Sequence, residues 1–204
     1  MTQNDKLLVF DASKLLHINA VYAALGQVAK VRGRYQEVVT SHDAKNIDAI
    51  LAKGWNDQRD QIDVFQLGTV LSQDNWLCED SKDVLKLFIT DREIYDSTNH
   101  MNYGLGVTLS FDSGSTCVFI STPYVGDVVH AQHVILHEIG HAYGAPNPLR
   151  SDVYESLGAH CSDRDCTMHQ ELNLAESKRS AHRIARLPRA FCNNCAYDIK
   201  EYRR

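Results

Sequence analysis

The run His137-Glu138-Ile139-Gly140-His141 constrains this chain more than any other feature. Residues four apart on a helix project from one face, so the two imidazoles can reach a common metal ion. Glu138 sits about 100° round the helix from His137. It therefore flanks such a metal, where it can take a proton from a zinc-activated water and pass it to a leaving amine. The surrounding residues predict the helix itself, over Asp127–Tyr143, with Pro123 ahead of it and Gly144 and Pro146 ending it. His130 and His133 lie on the same helix, and His133, His137 and His141 form a stripe at spacing four. A stripe of buried or solvent-facing histidines is the competing reading of the motif.

Upstream, apolar runs alternate with helical spacings. Lys6–Phe10, Glu37–Thr40, Ile62–Leu67, Val84–Thr90, Gly104–Leu109 and Thr116–Ser121 read as strands. The turn-rich Asp112-Ser113-Gly114 separates the last two. Ala12–Lys30 reads as a helix that stops at Gly33, and a second follows Ser41 or Asp43, burying Ile47, Ile50 and Leu51. The pattern is that of an α/β sheet. Beyond Gly144 periodicity weakens, apart from a helix near Asn173–Arg186. The boundary is therefore expected at this glycine, with an N-terminal subdomain over 1–144 and a small irregular one over 145–204.

Four of the six cysteines fall in two pairs beyond residue 160: Cys161 with Cys166, and Cys192 with Cys195. The N-terminus shows no basic segment leading into an apolar one, and no stretch approaches 18 apolar residues, so a cytoplasmic protein without a membrane span is expected. In that reducing compartment paired cysteines point to metal, and four thiolates describe a closed structural zinc site. Cys78 and Cys117 have no partner motif and read as core thiols. The 21 basic and 26 acidic side chains leave a formal charge of −5, which argues against a nucleic-acid partner. The basic run Lys178, Arg179, Arg183, Arg186 and Arg189 reads as a solvated helix face. It is also what a zinc-ribbon-like nucleic-acid module would use.

Taken together, HEIGHAYG, HCSDRDCTM and FCNNC resemble the signature of the archaemetzincins, zinc peptidases of the metzincin clan. LFITDREIY, NYGLGV and TCVFIST resemble that family's sheet strands. The resemblance implies a metzincin-like α/β fold: a twisted mixed sheet with helices, including the zinc-binding active-site helix, then a small C-terminal subdomain with a structural zinc. It implies two zinc ions, one catalytic and one structural, and a peptide or protein substrate. It implies Met168 as an apolar floor under the catalytic ligands, and Thr116–Ser121 as the sheet edge that pairs with extended substrate. One departure matters. The family spacing would put a third histidine at 147, where this chain has Asn147, and the family's His-Cys pair stands later, as His160-Cys161. An insertion from Pro146 to about Gly158 accounts for this and favours His160 over Asn147 as third ligand. The expected metal ligands are thus His137, His141 and His160 in one set, and Cys161, Cys166, Cys192 and Cys195 in the other. A protein of this fold that binds zinc without catalysing anything is the other alternative.

Overall fold

The computed structural model describes residues 6–11, 18–33, 37–41, 44–72, 84–98, 101–111, 116–155 and 158–202. Cys78, the Asp112-Ser113-Gly114 turn, the Ala12–His17 start of the first expected helix and the Asp43 cap lie outside them.

The described elements fall into two compact units, one within residues 1–16 and 36–123, the other within 17–35 and 124–203. This division differs from one at Gly144, because the helix of the histidine motif groups with the C-terminal residues.

In the first unit, β1 (Lys6–Asp11), β2 (Glu37–Ser41), β5 (Val84–Thr90), β8 (Gly106–Ser110) and β9 (Thr116–Ser121) form a mixed sheet in the order β2-β1-β5-β9-β8. Every pairing is parallel except β8 with β9. Register places Phe10, Phe88 and Phe119 side by side. Their rings stack at 4.8 and 5.0 Å between centroids, which anchors the core formed with Ile47, Ile50 and Leu51 of α2 (Ala44–Ala52) and Leu67 and Leu71 of α3 (Val64–Ser72). Buried Cys117 is part of this core. A second sheet has the order β3-β4-β6-β7, from β3 (Trp55–Asn56), β4 (Gln61–Asp63), β6 (Ile94–Asp96) and β7 (Met101–Gly104).

Three local expectations change. Ile62–Leu67 is not one strand: β4 ends at Asp63, whose Oδ1 accepts from the Phe65 and Gln66 amides at 3.0 and 3.3 Å. That side chain caps α3, and a capped helix overrides the β-branched, apolar look of the segment. Gly104–Leu109 divides at Leu105 into the end of β7 and the start of β8, which join different sheets. Thr116–Ser121 is a strand but not an edge, because β5 and β8 pair with its two sides. Its six residues are all buried, as an interior strand requires.

In the second unit, α1 (Ile18–Arg32) packs along α4 (Val128–Ala142) and α6 (Asn193–Glu201), and α5 (Leu174–Ile184) packs on α4. The hairpin of β10 (Val153–Glu155) and β11 (Ala159–Cys161) completes it. The C-terminal region therefore carries two helices and a hairpin, more regular structure than its weak periodicity suggests. The sequence reading missed α6 because Cys192 serves both the CxxC spacing and the helix cap: its Sγ accepts from the Cys195 amide at 3.5 Å.

Candidate metal centres

Local chemistry fixes both ends of α4. Asp127 caps the start by accepting from the His130 amide at 2.9 Å. Its Oδ2 also takes Lys178 Nζ at 3.2 Å and His182 Nε2 at 3.0 Å, which ties α4 to α5. The amide bond and these donors hold its carboxyl well below the usual range. At the other end Gly144 has φ +72°, a conformation that favours glycine, and a Cβ there would lie 2.5 Å from the Tyr202 ring.

The four histidines of α4 separate into two roles. His130 is buried, with Nδ1 accepting from the Gly126 amide at 3.2 Å and Nε2 donating to Ser177 Oγ at 3.0 Å. His133 is buried as well, and that burial pushes it down to about 4. His137 and His141 instead converge with His160 of β11, and the three rings bring one nitrogen each to within 4.8 Å of the others. Ring centroids are 4.7 to 5.3 Å apart. The stripe of three at spacing four thus breaks at His133.

The tautomers follow from the outer hydrogen bonds. His137 Nδ1 donates to the Thr167 carbonyl at 2.7 Å, and His160 Nδ1 donates to the Gly158 carbonyl at 3.0 Å. A neutral ring bonded in this way is left with a lone pair on Nε2, as a metal ligand requires. His137 Nε2 lies 3.1 Å from His141 Nε2, close to the ~3.3 Å between two nitrogens on one tetrahedral zinc. Burial, then the neighbouring imidazoles, hold His137 well below its ordinary value. Burial and then His160 bring His141 down to about 3. Both rings are neutral at physiological pH, the state that binds metal. Glu138 is buried on the same helix.

Asn147 stands apart. It is exposed, its Oδ1 accepts from the Leu149 amide at 3.0 Å in a local turn, and its own amide donates to Asp198 Oδ2 at 2.9 Å.

The sulfurs of Cys161, Cys166, Cys192 and Cys195 also gather within 4.8 Å of one another. Cys161 and Cys192 are 3.8 Å apart, the ~3.8 Å expected between two sulfurs on a tetrahedral zinc with 2.3 Å bonds. The Cys192 amide points at Cys166 Sγ, at 3.4 Å. Hydrogen bonding from Cys166 pulls the Cys192 thiol down, whereas hydrogen bonding to Cys161 pushes Cys166 up. Such a crowded set cannot ionise fully without a cation to neutralise it. The donor chemistry and spacing of both clusters fit zinc. His160 belongs to one cluster and Cys161 to the other, so a single peptide unit joins them.

Met168 is fully buried against α4. A Cβ at Gly140, between the two histidines' turns, would collide with its Sδ and lie 3.1 Å from its Cε. Glycine there lets Met168 lie close against α4. Gly140→Ala is expected to destabilise the second unit by about 1–3 kcal/mol through this overpacking, read as a lower midpoint in denaturant unfolding; an unchanged midpoint would mean that Met168 is free to move aside.

Sequence reasoning missed the outer partners. The Thr167 and Gly158 carbonyls are backbone groups with no residue signature. Thr167 could have been suspected only from lying between Cys166 and Met168. Arg150 was missed as well: its Nη1 lies 3.7 Å from Cys195 Sγ.

No family model and no curated protein matches this chain. Two solved structures do. The archaemetzincin of Methanopyrus kandleri is 17% identical with a TM-score of 0.63, over 98% of this chain and 95% of that one. A zinc-dependent peptidase of Methanocorpusculum labreanum is 14% identical with a TM-score of 0.60, over 95% of this chain and 99% of that one. At such identities the likeness is one of fold, and over nearly its whole length this chain has the fold of an archaemetzincin.

Proposed function

We propose that this protein is a zinc-dependent peptidase with one catalytic and one structural zinc. The observation that carries the reading is the convergence of His137 and His141 with His160, beside buried Glu138 on the helix of the first two. The archaemetzincin and the zinc-dependent peptidase of the same fold support it. Zinc in the histidine site would supply Lewis-acid polarisation of a peptide carbonyl and a water more acidic than bulk. The chain's own residues do the rest. His137, His141 and His160 hold the metal, and the Thr167 and Gly158 carbonyls orient the rings of His137 and His160. Glu138 accepts the proton of the attacking water and delivers it to the leaving amine. Cys161, Cys166, Cys192 and Cys195 would hold the second zinc, and the peptide unit shared by His160 and Cys161 would tie the two sites together. The proposed substrate is a peptide or protein and the proposed compartment the cytosol, with neither nucleic acid nor membrane as a partner. Among the described residues no helix is long and apolar enough to cross a membrane.

Metal content and activity test this together. Elemental analysis of pure protein is expected to give two zinc ions per chain. A chelator should remove the histidine-held ion first, because that site keeps a position open, and peptide hydrolysis should fall with it. One zinc or none, or hydrolysis indifferent to chelation, would count against the reading.

A further inference from the structure

Residues 147–152 strap onto α6. The Asn147 amide and Arg150 Nη1 both donate to Asp198 Oδ2. Arg150 Nε and Nη2 fork onto the two oxygens of Asp152 at 2.8 Å each. Asn194 Nδ2 donates to Asp152 Oδ2 at 3.0 Å. Asn194 and Asp198 lie on α6, whose first turn carries Cys195. The Arg150 side chain is only 17% exposed, so the two carboxylates fix its plane, and Nη1 faces Cys195 Sγ at 3.7 Å, within N–H···S reach.

Four thiolates around a divalent ion leave two surplus negative charges, concentrated on the sulfurs. An N–H donor on one sulfur withdraws electron density and makes that sulfur a poorer target for protons and electrophiles, the agents that open a thiolate site. We propose that Arg150 is a positioning residue of the thiolate centre: aimed by Asp152 and Asp198, it donates to Cys195 Sγ and retards loss of the metal. The segment that separates His160 from the glycine turn then has a role, since it delivers this donor. The proposal rests on the reading of the four cysteines as a zinc site.

The test uses the full chain loaded with cobalt and, separately, with zinc. Wild-type protein should show intense thiolate-to-cobalt charge-transfer absorption. Its absence would overturn the four-cysteine reading itself, and the Arg150 proposal with it. With that band present, Arg150→Gln should move it to longer wavelength, because an unbonded sulfur gives up its electron more easily. Zinc transfer from the thiolate site to a chelator should accelerate by about 10- to 100-fold, the usual effect of removing an outer partner of a metal ligand. Faster release with an unmoved band would show that Arg150 only braces the loop, and would overturn the sulfur contact. An unmoved band with unchanged release would overturn the proposal outright. Should Arg150→Gln not fold, Arg150→Lys keeps the charge, surrenders the fork to Asp152 and should show both changes at smaller size; no change in either overturns the proposal.

Discussion

A Glu138→Gln protein is expected to keep its full zinc content and to lose peptide hydrolysis by at least ~10²-fold, the usual scale of a positioned general base. The substitution keeps the side chain's length and shape. It replaces an acceptor-only carboxylate by a carboxamide that takes no proton at any physiological pH. Glu138 is buried on α4 beside the first histidine of the motif. The loss should appear in kcat and in kcat/KM alike, because the interaction removed is made only as the proton moves. Zinc content must be measured on the same sample, since a protein that has also lost its metal says nothing about the base. Unchanged turnover on a peptide library with both metals in place would sink the mechanism. A wild-type protein that is folded, metal-replete and inert on the same library would point instead to the non-catalytic alternative.

The second large effect concerns His160 and Asn147, and it separates two alignments of the same motif. His160→Ala should weaken zinc in the histidine site and abolish hydrolysis. Asn147→Ala should leave both nearly untouched. A carboxamide oxygen is a poor substitute for an imidazole on zinc. His160 presents its ring to His137 and His141 at 5.3 and 5.1 Å between centroids, with Nδ1 already donating to Gly158. Asn147 is exposed, and its side-chain oxygen is committed to the Leu149 amide. Intervening chain length is no obstacle, because loop closure costs only about 0.6 kcal/mol per doubling. Zinc affinity measured by competition with a chromophoric chelator, together with turnover, reads both variants. A tolerant His160 with an essential Asn147 would reverse the assignment.

Much of this was legible without coordinates, for identifiable reasons. A helix spacing of 3.6 residues per turn obliges His137 and His141 to share a face, so their capacity to reach one metal is legible in the chain alone. The cap at Asp127 and the turn at Gly144 are local, and they bound α4 as expected. The strands β1, β2, β5 and β9 came from short apolar runs and the buried residues of α2 from helical spacing, neither of which needs a partner.

What only the tertiary structure decided depends on groups far apart in sequence. Spacing treats His133 as equal to His137 and His141. Packing separates them, because His160 arrives from a hairpin across from two of the three. The segment Ile62–Leu67 looks strand-like by composition, yet the strand stops at Asp63, whose carboxylate caps a helix that starts at Val64. Thr116–Ser121 became an interior strand because β8 pairs outside it, a choice of neighbour that a run of apolar residues cannot encode. The sequence could also pair the cysteines by spacing, but not weigh their surroundings. It is folding that sets Arg150, 45 residues before Cys195, beside that thiol, since the donor is aimed by Asp152 and Asp198 and no local rule connects the three.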